Sequence, residues 1–233
     1  MESIPLPTGL KGDSDTPKQL EIVVNAYLEK GDKPTLSPRP GIEQIGFIYG
    51  RCRGQGPFND AVYRVAADKV FKFTFRDSGE LVIDEVAGTI EGNADCKLVQ
   101  SFGKLFIIAK GGKGYVIDAG NDLVLTQVID PILNLSGIND VAFLDGRFVI
   151  IPSDGDKLIR WSEINNPTSW PSENFSDAEV APDKSQHIIE YSGTLLVGGS
   201  STIEQLTYDS QKNIYTNTTD AALNHGVVSD FAR

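Results

Sequence analysis

Asp145-Gly146-Arg147-Phe148-Val149-Ile150-Ile151 places a turn glycine and a polar residue ahead of an unbroken apolar run, and the same arrangement occurs twice more. The other two copies are Phe102-Gly103-Lys104-Leu105-Phe106-Ile107-Ile108 and Ser192-Gly193-Thr194-Leu195-Leu196-Val197-Gly198. Each copy leads through small or polar residues into a second short β run: Gly114 to Asp118, Lys157 to Trp161 and Thr202 to Leu206. The turn glycines are 43 and then 47 residues apart, which is the period of a propeller blade. Asp68-Lys69-Val70-Phe71-Lys72-Phe73 reads as a weaker fourth copy.

Working outward, short β runs and turn clusters alternate along most of the chain, with no amphipathic helix pattern. The clusters Lys110 to Gly114, Ala119 to Asp122 and Pro152 to Asp156 supply the glycine, asparagine and aspartate that tight turns require. Further β runs are expected at Ile42 to Tyr49, Ala61 to Val65 and Val70 to Phe75. The fold class expected is all-β and β-propeller-like, with about four blade-like antiparallel units. Residues 1–41 differ from the rest: Pro5, Pro7, Pro17, Pro34, Pro38 and Pro40 are interspersed with Gly9, Gly12, Gly31 and Gly41. They are expected to form an extended Pro/Gly-rich N-terminal arm, with strand-like alternation only at Gln19 to Leu28. Residues 42–233 are the expected propeller-like domain. It is expected to be incomplete at its C-terminus, because the chain stops on Phe231-Ala232-Arg233 with no closing feature.

The net charge of −11, from 21 Lys plus Arg against 32 Asp plus Glu, lacks the basic footprint that neutralises phosphates. If DNA meets this chain, passage is expected rather than sequence-specific binding. No run approaches the roughly 18 apolar residues of a membrane helix. The N-terminal residues have neither the basic region nor the apolar core of a secretory signal. Cys52 and Cys96 have no CxxC spacing and are expected as two reduced thiols.

No motif points to catalysis. Gly111-Gly112-Lys113-Gly114 lacks the Gly-Lys-Ser/Thr ending and the following helix of a phosphate-binding loop. Asp118 to Asp122 has oxygen ligands but no bidentate glutamate at the calcium-loop distance. His187 and His225 stand outside any zinc or nucleophile motif. No catalytic, cofactor-binding or metal residues are therefore expected, and no cofactor. The stretch Trp161 to Pro171 is different. Asn165-Asn166-Pro167 is a strong turn signal, and the flanking Trp161 and Trp170 each carry on the order of 200 Å² of apolar surface. Trp161, which closes an alternating strand, is expected in the core. Trp170, Pro171 and Asn166 are the candidate interface residues.

The order of several segments resembles the packaged-DNA stabilisation proteins of short-tailed phages, the tail accessory factors that form a hub or nozzle below the portal. The resemblance runs through Leu10-Lys11-Gly12, Val24 to Tyr27, Arg39 to Ile42, Ala61 to Val65 and Asp145 to Arg147. It is most specific at Trp161 to Pro171 and Gly199 to Glu204, and it ends at Gly226-Val227. It covers nearly the whole chain but roughly the front half of a typical family member. It implies a virion tail protein with a propeller body and no catalytic positions, assembled in the host cytoplasm. The implied homo-oligomeric ring closes the channel after packaging, holds the genome and gives a path for ejection. Implied partners are the portal or adaptor proteins of the neck, the tail needle and tailspikes, and DNA in passage. The alternative is a glycan-degrading or glycan-binding propeller, enzyme or adhesin, unrelated to head closure.

Overall fold

The computed structural model describes residues 46–120, 124–154, 158–177, 183–218, 222–223 and 226, side chains 134–136 excepted, together with the backbone of 4–5, 26–29 and 35–38. The chain divides into two compact units, Met1–Ile45 and Gly46–Arg233. In the first unit, β1 (Ile4–Pro5), β2 (Ala26–Glu29) and β3 (Thr35–Pro38) form an antiparallel sheet in the order β1-β3-β2. The expected alternating strand at Gln19 to Leu28 overlaps β2 at its end, and residues 19–25 lie outside the described residues.

The second unit is a series of four antiparallel meanders. Blade 1 comprises β4 (Cys52–Phe58), β5 (Ala61–Ala66), β6 (Lys69–Phe75) and β7 (Leu81–Val86). Blade 2 comprises β8 (Cys96–Gln100), β9 (Lys104–Ala109), β10 (Gly114–Asp118) and β11 (Leu125–Gln127). A short helix, α1 (Pro131–Ser136), precedes blade 3. That blade is built from β12 (Ile138–Leu144), β13 (Arg147–Pro152), β14 (Leu158–Trp161) and β15 (Phe175–Asp177). Blade 4 contains β16 (His187–Tyr191), β17 (Thr194–Gly198), β18 (Ile203–Asp209) and β19 (Ile214–Asn217). In every blade the strands hydrogen-bond in chain order. This is the all-β, propeller architecture that the glycine-turn repeat predicts.

The repeated glycines do the same job in each copy. Gly103, Gly146 and Gly193 all take φ near +76°, closing the tight turn between the first and second strands. Blade 1 corrects the expectation for the fourth copy. Residues 68–73 lie on its third strand, and the strand equivalent to β9, β13 and β17 is β5. Its turn carries no glycine, because Asn59 takes the positive φ instead, as asparagine does more readily than most residues. The strand expected at Ile42 to Tyr49 is also corrected: residues 46–49 are not strand, and 42–45 lie outside the described residues.

Three apolar clusters hold the blades face to face. Tyr63, Val65 and Val70 of blade 1 meet Leu105, Ile107 and Ile117 of blade 2. Phe106 and Ile108 meet Val141, Phe148 and Ile150 of blade 3, and Val149, Ile159 and Trp161 meet Ile188, Leu195 and Leu206 of blade 4. Second strands β9 and β13 therefore bury both faces, which explains why their apolar runs are unbroken instead of alternating. The first strands pack in series, β4 on β8, β8 on β12 and β12 on β16. Glycines permit the tightest of these approaches, since a Cβ at Gly54 would overlap the Cys96 carbonyl, and one at Gly56 would press on Leu98 at 3.1 Å. Among the described residues no helix is long and apolar enough to cross a membrane.

Candidate functional site

Two arrangements join blades through polar chemistry. The first lies on the inner strands. Asp140 of β12 is placed where the pairing with β13 shifts register between Ile138 and Asp140, a bulge that re-aims side chains. Lys97 of β8 donates from Nζ to Asp140 Oδ1 at 2.7 Å and to the Ile188 carbonyl at 2.9 Å. The Ile188 N–H donates to Asp140 Oδ2 at 2.9 Å, and His187 Nδ1 lies 3.6 Å from the same oxygen. One buried carboxylate thus links the first strands of blades 2, 3 and 4. Burial alone would raise the Asp140 pKa, but the His187 bond, the Lys97 ammonium and the Ile188 amide more than reverse this and hold the carboxyl below its ordinary range. Beside this network an open groove of about 350 Å³ is lined by Pro57, Leu98, Val141, Phe143, Ile189 and Glu190.

Arg53 plays the corresponding part between blades 1 and 2. Its buried guanidinium donates to the carbonyls of Ala94 at 2.7 Å, Ala67 at 2.8 Å, and Ile90 and Glu91 at 3.2 Å. A cation fully occupied with backbone acceptors is a structural clamp.

The second arrangement is the Trp161 to Pro171 connection between β14 and β15. Trp161 is fully buried and meets Tyr215 edge to face at 5.1 Å, where sequence reading expects a core cap. Asn165 takes φ +50° and donates its N–H to the Gly146 carbonyl at 2.6 Å. Its amide group reaches blade 2, accepting from Ser101 Oγ at 2.7 Å and donating to the Phe102 carbonyl at 3.0 Å. Asn166 closes the turn on itself, its Oδ1 accepting from the Thr168 N–H and hydroxyl. Trp170 is only 4% exposed; its Nε1 donates to the Pro167 carbonyl at 2.8 Å and its ring lies 6.0 Å from Phe106. Asp130 both caps α1 at Ile132 and accepts from the Trp170 N–H at 3.3 Å, so the helix and the turn are tied together.

Of the three candidate interface residues, the Trp170 ring is thus committed within its own chain, while Asn166 and Pro171 are half-buried. The exposed apolar side chains on this rim are Ile164 and Phe102, which the sequence reading does not single out. Cross-blade bonding falls to Asn165. An asparagine next to another in a turn carries no mark of which one faces a neighbouring blade.

The Gly199 to Glu204 motif is also a packing device. Asp183 accepts from the N–H groups of Ser201 at 2.7 Å and Thr202 at 3.1 Å and from the Thr202 hydroxyl at 2.6 Å. A Cβ at Gly199 would collide with that carboxylate. Among the described residues no group of three or more His, Cys, Asp or Glu is placed to hold a metal ion. Cys52 is exposed, Cys96 is buried, and both are free thiols. His225 lies outside the described residues.

The profile of the family described as bacteriophage P22 Gp10, beta-propeller, matches residues 3–233. The chain belongs to the phage P22 Gp10 stabilisation family. The segments that carry the sequence resemblance lie within this one continuous match. Among curated proteins no relative matches. Of solved structures, the computationally designed Ika4 protein is similar in fold at 16% identity, with a TM-score of 0.50 over 71% of this chain and 98% of that one. YCF48 bound to D1 peptide aligns at 12% identity with a TM-score of 0.49, over 86% of this chain and 62% of that one. These likenesses concern the fold alone.

Proposed function

We propose that this protein is a structural component of a phage tail hub or nozzle, without catalytic activity. Its subunits assemble as a homo-oligomeric ring below the portal, on portal or adaptor proteins of the neck. The ring closes the channel after packaging, stabilises the packaged genome and leaves a path for its ejection. The tail needle and tailspikes attach beyond it, and the protein resides in the virion tail after assembly in the host cytoplasm. The observation that carries this reading is the Gp10 family match along residues 3–233.

The physical chemistry supports a part that works by rigidity. Consecutive blades are joined by apolar clusters, a buried lysine–aspartate–histidine network and an arginine clamp, none of which needs a ligand. A chain of net charge −11 repels DNA, so genome moving along a wall of such subunits is not retained, whereas lysine and arginine would hold it. The rim at Asn166, Trp170 and Pro171 is proposed as a contact surface, with Trp170 as the buried support and the half-exposed residues as the contacting ones. Residues 1–41 are proposed as an arm over the domain or a neighbouring subunit.

Immunogold labelling and proteomics of purified virions test the reading. The expected result is several copies per particle, all at the tail vertex. A chain absent from the virion, or found only in the infected cell, overturns it.

A further inference from the structure

The blades repeat one packing rule, and the rule leaves two faces over. In each interior interface the forward face of one blade meets the backward face of the next. On β9 the central forward residue is Phe106, paired across the sheet with Val99; on β13 it is Val149, paired with Ala142. Phe106 and Val149 are fully buried. The same register positions in blade 4 are Leu196 and Ile189, and there Leu196 is half-buried and Ile189 is 61% exposed.

The backward faces behave alike. Leu105 and Ile107, Phe148 and Ile150, and Leu195 are buried. Their blade 1 counterparts are Val62 and Arg64 of β5, which pair with Phe73 and Phe71 of β6. Here Val62 is 43% and Phe75 64% exposed, and Phe47 and Tyr49 pack edge to face nearby, beside Phe71 and Ile83. Arg64 lies 5.4 Å over the Phe73 ring. Aromatic rings with one arginine are the composition favoured at protein interfaces. Among the described strands nothing comparable to the β4–β8 packing joins β16 back to β4, so the four blades do not close on themselves.

We propose that the two leftover faces meet in trans: the forward face of blade 4 packs on the backward face of blade 1 of a second copy. Two such junctions, related by a twofold axis, close an eight-bladed ring. The pairing continues an interface the chain already makes three times, so each face meets a surface of the kind its own blade type is built to cover. Eight blades fall within the range in which propellers close, and the twofold prevents a head-to-tail contact from running on as a filament. The inference stands on the fold and is independent of any place in a phage tail.

Sedimentation equilibrium of the 233-residue chain tests it. Interfaces of standard size bind at micromolar affinity or tighter, so at about 100 µM the expected species is a dimer, twice the 25.3 kDa of the chain. V62D and I189D, both at exposed positions, are expected to be monomers with unchanged circular dichroism and melting. An equimolar mixture of the two is expected to regain the dimer, because one junction in the mixed pair is intact. A monomeric wild type overturns the proposal. So does a V62D or I189D chain that still self-associates, or a mixture that stays monomeric.

Discussion

The two tryptophans make opposite predictions for the same substitution. Both are buried, and replacing either by phenylalanine removes roughly 50 Å² of buried apolar area, about 1.2 kcal/mol of transfer free energy. The polar terms then diverge. Trp161 Nε1 is buried with no acceptor in reach, a defect that costs about 1–3 kcal/mol and that phenylalanine removes. Trp170 Nε1 donates to the Pro167 carbonyl, so Trp170→Phe loses a bond and leaves a buried acceptor unpaired, about 1–3 kcal/mol more. The expected outcome is a Trp161→Phe variant within about 1 kcal/mol of wild type and a Trp170→Phe variant destabilised by about 2–4 kcal/mol. Urea unfolding followed by circular dichroism measures this. Each variant keeps one tryptophan, whose fluorescence provides the second probe of two-state behaviour. A Trp161→Phe variant at least as unstable as Trp170→Phe refutes the reasoning.

Asp140 gives a pH signature. Its folded pKa lies below the ordinary 3.8, so its stabilisation is complete above that value and is lost as pH falls through the depressed folded pKa. Melting between pH 2 and 6 is expected to show an acid-dependent loss that Asp140→Asn lacks, and the variant is expected to be about 2 kcal/mol less stable at pH 6, a modest figure because the Lys97 ammonium still reaches water. Gly54→Ala is expected to cost more than about 3 kcal/mol in thermal or urea unfolding, since its methyl group has to displace the Cys96 backbone instead of a flexible side chain. Thiol titration of the native protein is expected to label Cys52 within minutes and Cys96 only after unfolding. Burial pushes the Cys96 thiol up to about 11, with the Arg53 charge only partly opposing, and keeps reagents away.

The repeat of glycine, polar residue and apolar run was enough to read three blades. It worked because Gly103, Gly146 and Gly193 sit where the turn needs a positive φ, and because β9 and β13 are covered on both sides. Blade 1 hid its register by using Asn59 for the same turn, while Ala67 at φ +51° gave the next turn its disguise as the first. Helix α1 escaped because six residues are too short to establish a 3.6-residue period. Its local marks, an Asp130 cap, a proline in the first turn and Gly137 after the last, were present but unaccompanied by an amphipathic stripe. The inter-blade polar contacts were illegible for a different reason. Lys97, Asp140 and His187 are separated by more than forty residues at each step, and only the stacking of first strands brings them together. The rim residues divide similarly: whether Trp170 turns toward Phe106 or toward solvent depends on a neighbouring blade, not on Ser169 and Pro171 beside it.

The central claim is that this chain closes the packaged head. It is tested most directly by adding the purified protein to DNA-filled heads of its own phage that lack it, then treating them with nuclease. The account predicts that such heads lose their DNA to digestion without the protein and retain full-length genome once it is added. Heads that hold their DNA equally well without it, or that leak unchanged with it, would contradict the account.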